Sequence, residues 1–389
     1  MTPAARIQAA IELLDEVIAA ARGGGAAADT LIARYFATRR YAGSKDRRAV
    51  REHVYAAIRR AGEIPASGRA AMLAVASDDP EVAANFDGSP HGPAPIGADE
   101  TAAAGGVVPR WLAEALSRSG LSADQQAALI ARAPLDVRIN RLTADMAAID
   151  ALGGAAIPGV PDALRLPAGT NVEPLAGQIE VQDAGSQIVS LAAQARPGQA
   201  IVDLCAGGGG KTLALAAAMA NSGRILATDV DRGRLSRLSP RAAKAGVTIV
   251  ETRLLDPNRE AEALDDWNGT ADCVLIDAPC SGTGTWRRNP EARWRLNPDR
   301  LVKFAAQQRH VLSVAAPLVR PGGALVYIVC SLLDIEGADQ IDAFLSDHPG
   351  WTAAPLDLPA GTRRGQGLRL DPLHHGTDGF FVARLTSPC

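Results

Sequence analysis

Positive charge is not in surplus in this chain. Its 40 Lys and Arg stand against 43 Asp and Glu, and the formal net charge over 389 residues is −3. A global basic field is therefore excluded, and a nucleic-acid partner would have to be met by local clusters. Paired metal-binding cysteines are also missing. Cys205, Cys273, Cys280, Cys330 and Cys389 form no CxxC pair, and the histidines complete no zinc pattern, so no metal is expected. An odd, scattered set of thiols fits a reducing compartment. No apolar run is long enough to span a bilayer. The N-terminus carries Glu12, Asp15 and Glu16 in an amphipathic pattern and does not read as a signal peptide. The expectation is a soluble cytoplasmic protein, monomeric, with no membrane and no metal partner. Arg greatly outnumbers Lys, which base composition of the genome can explain as well as physics can.

What is present gathers around Ala271 to Trp286, ADCVLIDAPCSGTGTW. Cys273, Val274, Leu275 and Ile276 form an unbroken apolar run, as expected of a parallel strand covered on both faces. The run breaks at Asp277-Ala278-Pro279-Cys280. An acid, a proline and a thiol at the carboxyl end of such a strand sit where open α/β sheets bind ligands. The stretch from Gly322 to Val329 repeats this grammar and ends in Cys330-Ser331. Two thiols at two strand ends, one with an acid beside it, form the constellation to be explained.

The chain length allows two or three domains. Residues 3–62 read as helices, with Ile7, Ile11, Leu14, Val17 and Ile18 at helical spacing. Arg39, Arg40, Lys45, Arg47, Arg48, Arg51, Arg59 and Arg60 make the first basic cluster. A solvated helical face is the plain reading of such a run. Its density in an otherwise acidic chain favours phosphate contact. Residues 77–107 are rich in Pro, Gly, Asp and Ala and read as a flexible linker. A helix starts near Pro109 and another runs over 123–132 behind Ser122 as its N-cap. Residues 134–175 suit a small α/β unit, with a strand over 136–142 and a helix over 146–152. From Ile179 onward strands and helices alternate, as in a doubly wound, mostly parallel sheet. The strands fall at 200–204, 224–228, 247–250, 271–276, 324–329 and 379–385. The helices fall at 186–195, 211–220, 232–245 with Pro240 interrupting, 299–319 and 337–347.

Between the first of these strands and its helix lies Asp203-Leu204-Cys205-Ala206-Gly207-Gly208-Gly209-Gly210-Lys211-Thr212. Glycines here let the backbone turn sharply and approach a ligand in front of a helix N-terminus. A Walker A loop fails, because its first glycine falls on Cys205. A dinucleotide fingerprint fails too. Counted from Gly207 its last position is Thr212, and counted from Gly208 it is Leu213. S-adenosylmethionine is the third candidate. Asp229 ends the next strand, where a carboxylate can accept from a ribose diol, a placement that suits NAD equally.

With both thiol motifs and this loop in view, the chain resembles the RNA 5-methylcytosine methyltransferases of the NOL1/NOP2/Sun family, and within it the bacterial 16S rRNA enzymes of the RsmB type. The pieces that carry the resemblance are VQDAGSQIVSLAA, VDLCAGGGGKT, Asp229, DAPCSGTGTWRRNPEARW, CSLLDIEG and DPLHHGTDGFFVARL. The resemblance implies a Rossmann-like class I methyltransferase domain over 178–389. It also implies a small α/β linker domain over 131–177 and, more weakly, a NusB-like helical RNA-binding domain over 1–130. It implies S-adenosylmethionine as cofactor, held by Cys205 to Lys211, Asp229, Asp256 in ETRLLDP, and Asp277. Gly208 stands where the family loop usually has proline, which should loosen the turn but keep the backbone donors.

C5 of cytosine is a poor nucleophile. A thiolate adding at C6 makes C5 reactive towards an electrophilic methyl group, and a second group must then remove the C5 proton. The resemblance assigns attack to Cys330, release to Cys280, and hydrogen bonding to N3 and the amino group to Asp277. Pro279-Cys280 by itself would suggest the opposite assignment, as in DNA cytosine methyltransferases. Cys273 reads as core, Cys389 as inert and Cys205 as a small packed side chain, whereas loop-facing thiols at strand ends are poor structural residues. The target base must leave its stack. Trp286-Arg287-Arg288 and Arg293-Trp294-Arg295 interleave cations and aromatic rings as RNA contacts do, and Arg287 and Arg288 are the expected RNA-binding pair. A solvated helix start with Trp294 packed inward is the plainer reading, and the two hold together. A tRNA substrate, a non-catalytic RNA-binding assembly factor and a nucleotide-dependent oxidoreductase remain as other readings.

Overall fold

Thr2 accepts a bond from the Ala5 amide, Pro3 occupies the first turn, and a helix follows over Pro3–Gly23 (α1) until Gly24 turns left-handed at φ 74°. Its buried stripe includes Ile7, Ile11, Leu14 and Val17. It packs against α3 (Ser44–Arg60), α2 (Ala28–Ala37) and α4 (Gly68–Ala76). The structure, a computed structural model, describes residues 1–389. The chain divides into two compact units, 1–132 together with 285–297, and 133–284 together with 298–389.

The first unit is helical. After α4 the chain makes one short helix, α5 (Pro80–Ala83), crosses an irregular stretch, and ends in α6 (Arg110–Arg118) and α7 (Ala123–Ala128). Ser122 caps α7 in a reciprocal box with Gln125. The returning segment 285–297 completes this unit. Trp294 is part of the core that contains Ile7, Leu14, Val54 and Ile58. The Arg293 side chain is fully buried, with Nη2 donating to the carbonyls of Ile58 at 2.6 Å and Ala61 at 2.7 Å. Glu291 accepts from the Ala28 amide at 3.1 Å.

The second unit opens with a four-stranded antiparallel sheet of β1 (Leu135–Ile139), β2 (Ala155–Ala156), β3 (Ala163–Leu166) and β4 (Ile179–Val181), in the order β2-β3-β1-β4. A short helix, α8 (Met146–Asp150), lies between β1 and β2 and closes a small core with Val137, Ile139, Ile149, Leu166 and Ile179. The sheet ends at Val181, a few residues beyond the boundary at 177 expected for the linker domain, because β4 pairs with β1.

The main sheet follows. It comprises α9 (Ala184–Ser190), β5 (Ala200–Leu204), α10 (Gly210–Ala218), β6 (Arg224–Asp229), α11 (Arg232–Leu235), α12 (Leu238–Lys244), β7 (Val250–Leu254), α13 (Glu260–Ala263), β8 (Ala271–Asp277), α14 (Pro298–Ala315), β9 (Val319–Val329), α15 (Ala338–Asp347), β10 (Thr352–Ala353), β11 (Thr362–Arg364), β12 (Gly367–Leu370), α16 (Pro372–His375) and β13 (Phe380–Thr386). The strand order is β11-β12-β13-β9-β8-β5-β6-β7, with β10 on β13. β7 through β9 are parallel, and β13 joins β9 antiparallel. Chain order reverses between β5 and β8, so a ligand crevice opens at their carboxyl ends. The inner strands are apolar on both faces, and Val202, Val274, Leu275, Ile276, Val326 and Ile328 are fully buried.

Two expectations shift. The third strand lies at Val250–Leu254 rather than 247–250, because β7 is the edge and Glu251 and Thr252 can face solvent. The helix expected over 232–245 is two helices, and Pro240 sits in the first turn of α12, where it fits.

Candidate active site

The loop after β5 turns by unusual backbone angles. Cys205 takes φ 73°, and Gly207 and Gly209 take 56° and 84°. A non-glycine residue in that region costs about 1–2 kcal/mol, so the surroundings must hold Cys205 there. A Cβ on Gly209 would lie 2.0 Å from Leu238 Cδ1, so glycine is required. The Gly209 amide donates to the Ala206 carbonyl at 3.0 Å, and α10 begins at Gly210. Asp229, at the end of β6, accepts from the Gly207 amide at 2.8 Å and from the Asp231 amide at 2.7 Å. It therefore fixes the loop as well as facing the crevice.

Asp203 is fully buried. Thr212 Oγ1 donates to its Oδ2 at 2.6 Å, while its Oδ1 has no hydrogen-bond partner. Burial pushes its carboxyl up to about 7, against the opposing pull of the Thr212 bond. Beside the loop lies a cavity of about 280 Å³, bounded by Leu204, Cys205, Asp229, Val230, Leu255 and Val311 among others. It is mostly apolar, with the carboxylates of Asp229 and Glu260 among its lining.

The strand register brings the two thiol loops alongside each other. Asp277 is opposite Ile328 in the parallel β8–β9 pair, and the Ala278 amide donates to the Ile328 carbonyl at 2.9 Å. Cys280 and Cys330 follow directly, with their Sγ atoms 3.3 Å apart. The bond to Cys330, burial and the nearby charge of Cys330 push the Cys280 thiol well up. Lys211 Nζ donates to Asp277 Oδ2 at 2.6 Å. Burial opposes the ammonium form, but the Asp277 charge and hydrogen bond, with Cys330 nearby, hold the Lys211 ammonium above its ordinary value. Cys205 and Cys273 are pushed up by burial, the latter to about 12, and Cys389 is exposed.

One carboxylate in this region was not expected. Glu336 lies beneath both thiol loops, fully buried. Its sequence signal is slight, an acid six residues after Cys330 in a stretch that is otherwise mostly apolar.

Two expected positions, Asp256 and Arg287, do not have the surroundings expected of them. Asp256 is exposed and does not line the cavity, whose wall is made by Leu255, Pro257 and Asn258. Arg287 is 6 % exposed and belongs to the helical unit, where the Arg59 guanidinium donates to its carbonyl at 3.3 Å. Burial removes it as a surface contact for a phosphate chain. Arg288 is half-buried in the same segment. No group of three or more His, Cys, Asp or Glu side chains could hold a metal ion, and no helix is long and apolar enough to cross a membrane.

A largely parallel sheet with a glycine loop after its first strand and an acid closing its second is the class I methyltransferase architecture. The crystal structure of PH0851 superposes with a TM-score of 0.77 at 26% identity, covering 99% of each chain. A methyltransferase homolog protein from Pyrococcus horikoshii gives 0.58 at 26% identity, covering 72% of this chain and 100% of its own. The 16S rRNA methyltransferase RsmB/F family matches residues 190–386, and the chain belongs to that family. A probable ribosomal RNA small subunit methyltransferase B from Synechocystis sp. is 34% identical over 296 residues, 71% of this chain and 66% of that protein. The matched stretch spans between 48% and 66% of the length of curated relatives such as those of Bacillus subtilis and Synechocystis.

Proposed function

We propose that this protein methylates C5 of cytosine in RNA, with 16S rRNA as substrate, through a covalent bond between Cys330 and C6. The observation that carries the reading is the pair of thiols 3.3 Å apart at the ends of adjacent parallel strands, with Asp277 three residues before Cys280.

The cavity beside Asp229 suits S-adenosylmethionine. Its apolar walls match an adenine ring, Asp229 can accept from a ribose diol, and the unpartnered Asp203 Oδ1 leaves a buried acceptor near the glycine loop. Residues Cys205 to Lys211 would frame that group, with Leu255 and Asn258 in place of Asp256. When bound it supplies an electrophilic methyl group.

The chain's own residues do the rest. Lys211, whose Nζ donates to Asp277 Oδ2 at 2.6 Å, places a positive charge in the neighbourhood of Cys330. The Cys330 thiolate adds to C6, the C5–C6 pair moves to C4–C5 and the C4–N3 pair onto N3, and Asp277 stabilises the charge by sharing a proton with N3 and accepting a hydrogen bond from the amino group. C5 then takes the methyl group. Cys280 starts as a neutral thiol because Cys330 holds its proton affinity high. Once the Cys330 sulfur is bonded to carbon, it is neither a charge nor the same hydrogen-bond partner, and Cys280 becomes more acidic. Its thiolate can then take the C5 proton, the C5–C6 double bond re-forms, and Cys330 leaves as thiolate. Among surface cations Arg288, rather than the buried Arg287, is left as the candidate RNA contact of its segment. The protein would work in the cytoplasm as a monomer.

The test is incubation with S-adenosylmethionine and either unmodified small-subunit rRNA or tRNA, followed by nucleoside analysis. 5-Methylcytosine in the rRNA alone is the expected product. Product in tRNA alone would transfer the reading to that substrate. No product in either, from a protein that still binds rRNA, would favour a non-catalytic assembly role.

A further inference from the structure

The two reactive sulfurs are held by loops rather than by strands, since Cys280 lies three residues past β8 and Cys330 one residue past β9. A distance of 3.3 Å between them therefore needs a separate cause. The residue after each cysteine is tied to the same side chain. Glu336 Oε1 accepts from the Ser281 amide at 2.8 Å, and Oε2 accepts from the Ser281 hydroxyl and from the Ser331 hydroxyl, the latter at 2.5 Å. Gln308, from α14, donates both to Glu336 Oε1 at 3.2 Å and to the Pro279 carbonyl at 2.9 Å. The backbone is thus gripped on both sides of Cys280. Secondary ties complete the frame. Ser331 Oγ accepts from the Leu333 amide at 3.2 Å, Thr283 Oγ1 accepts from the Leu332 amide at 2.8 Å, and the Gly284 amide donates to the Cys330 carbonyl at 3.0 Å. Tyr327 Oη, buried in β9, donates to the Glu336 carbonyl at 2.7 Å.

We infer that Glu336 is a positioning residue that clamps the Cys280 and Cys330 loops together and thereby sets the separation of the two thiols. It touches neither sulfur, so it acts only through Ser281 and Ser331. Glu336, Ser281 and Ser331 are all buried. A carboxylate suits this place because it offers acceptor oxygens only, and four donors converge on it. Charge-assisted bonds of this kind are stronger than neutral ones and offset the cost of burying the charge. An amide of the same shape would turn two N–H donors towards groups that also donate. The clamp matters for methyl transfer because Cys280 must reach the C5 proton of a base already bonded to Cys330, and a misplacement of about 1 Å can cost roughly a hundredfold in rate.

The inference rests on the methyl-transfer reading only for its kinetic consequence, so the test has an arm that needs no RNA. In a Cys389→Ser background, the protein is equilibrated with reduced and oxidised glutathione. Two protein thiols and one oxidised glutathione give the Cys280–Cys330 disulfide and two reduced glutathiones, and peptide mass mapping measures the fraction. Glu336→Gln is expected to lower that equilibrium constant about tenfold or more, and Ser331→Ala, the milder variant, to lower it in the same direction. The double variant should be no worse than Glu336→Gln alone, because both changes break one linkage. In the methylation assay, kcat should fall about 10- to 100-fold, with KM for S-adenosylmethionine within about twofold. A disulfide equilibrium within twofold of the parent in Glu336→Gln and Ser331→Ala, both folded by circular dichroism, overturns the inference. So does additivity in the double variant. If the parent protein methylates no RNA while the glutathione arm gives the expected shifts, the clamp stands and the proposed reaction falls.

Discussion

Side-chain proton affinities divide labour within this site. Cys280 is held as a thiol by its bond to Cys330 and by burial. Removing the partner should therefore acidify it. In Cys330→Ala, alkylation of Cys280 by iodoacetamide should become faster at any fixed pH near neutrality, with its pH midpoint displaced downward. An unchanged or upward midpoint would contradict the pairing of the thiols. Asp203 gives a second prediction. Its folded-state value of about 7 lies above that of an unfolded carboxyl, so between those values the folded chain keeps a proton that the unfolded chain has lost. The stability this contributes is complete below the unfolded value and is lost as pH rises through about 7. Asp203→Asn should flatten the dependence of Tm on pH across that window, as differential scanning calorimetry would show. An unchanged slope would mean that Asp203 stays ionised.

Single elements decide how the crevice is built and how much of it can be read in advance. Gly209 initiates α10 at φ 84°, and a methyl group there would meet the buried Leu238. Gly209→Ala should cost about 2–4 kcal/mol, from overpacking plus the left-handed backbone, and should weaken S-adenosylmethionine binding in calorimetric titration. The same substitution at Gly208 meets only the end of Arg241 at 3.3 Å and should be far milder. Strands covered on both faces declare themselves in sequence. Val202 in β5, Val274 to Ile276 in β8, Val326 and Ile328 in β9 and Val382 in β13 lie in unbroken apolar runs because no face is left for water. β7 does not, since an edge strand may carry Glu251 and Thr252 outward, and the apolar residues point to a start three residues before the observed one. β11 and β12 were missed for a related reason. Thr362–Arg364 and Gly367–Leu370 are short, and Arg363 and Arg364 break any apolar run. The thiol pair was legible because each cysteine closes a readable strand. Glu336 was not, because its partners come from three separate segments and only the fold assembles them.

At the scale of the whole molecule, the principal surprise is the course of the chain. The arginine- and tryptophan-rich stretch behind Cys280 reads locally as a nucleic-acid surface, yet residues 285–297 complete the helical unit. Arg293 satisfies the carbonyls of Ile58 and Ala61, and Trp294 Nε1 donates to Ala61 at 3.2 Å. The inward packing of Trp294 is as the sequence suggests; local composition could not reveal that Arg293 is buried with it, or that the partners of both come from the N-terminal helices, because burial is a property of the partners. Residues 1–132 expressed alone should consequently unfold less cooperatively and at lower temperature than the helical unit does within the full chain, and adding a 285–297 peptide should raise the midpoint. A fragment as stable without the peptide as with it would contradict the division described here. The central claim concerns which sulfur bonds to the base. Cys280→Ala and Cys330→Ala proteins, each incubated with S-adenosylmethionine and unmodified small-subunit rRNA, should be digested and their RNA-linked peptides sequenced. The account predicts a methylated cytosine attached to Cys330 in Cys280→Ala protein, and no adduct in Cys330→Ala protein. An adduct on Cys280 in the Cys330→Ala protein would contradict it and reverse the roles of the two thiols.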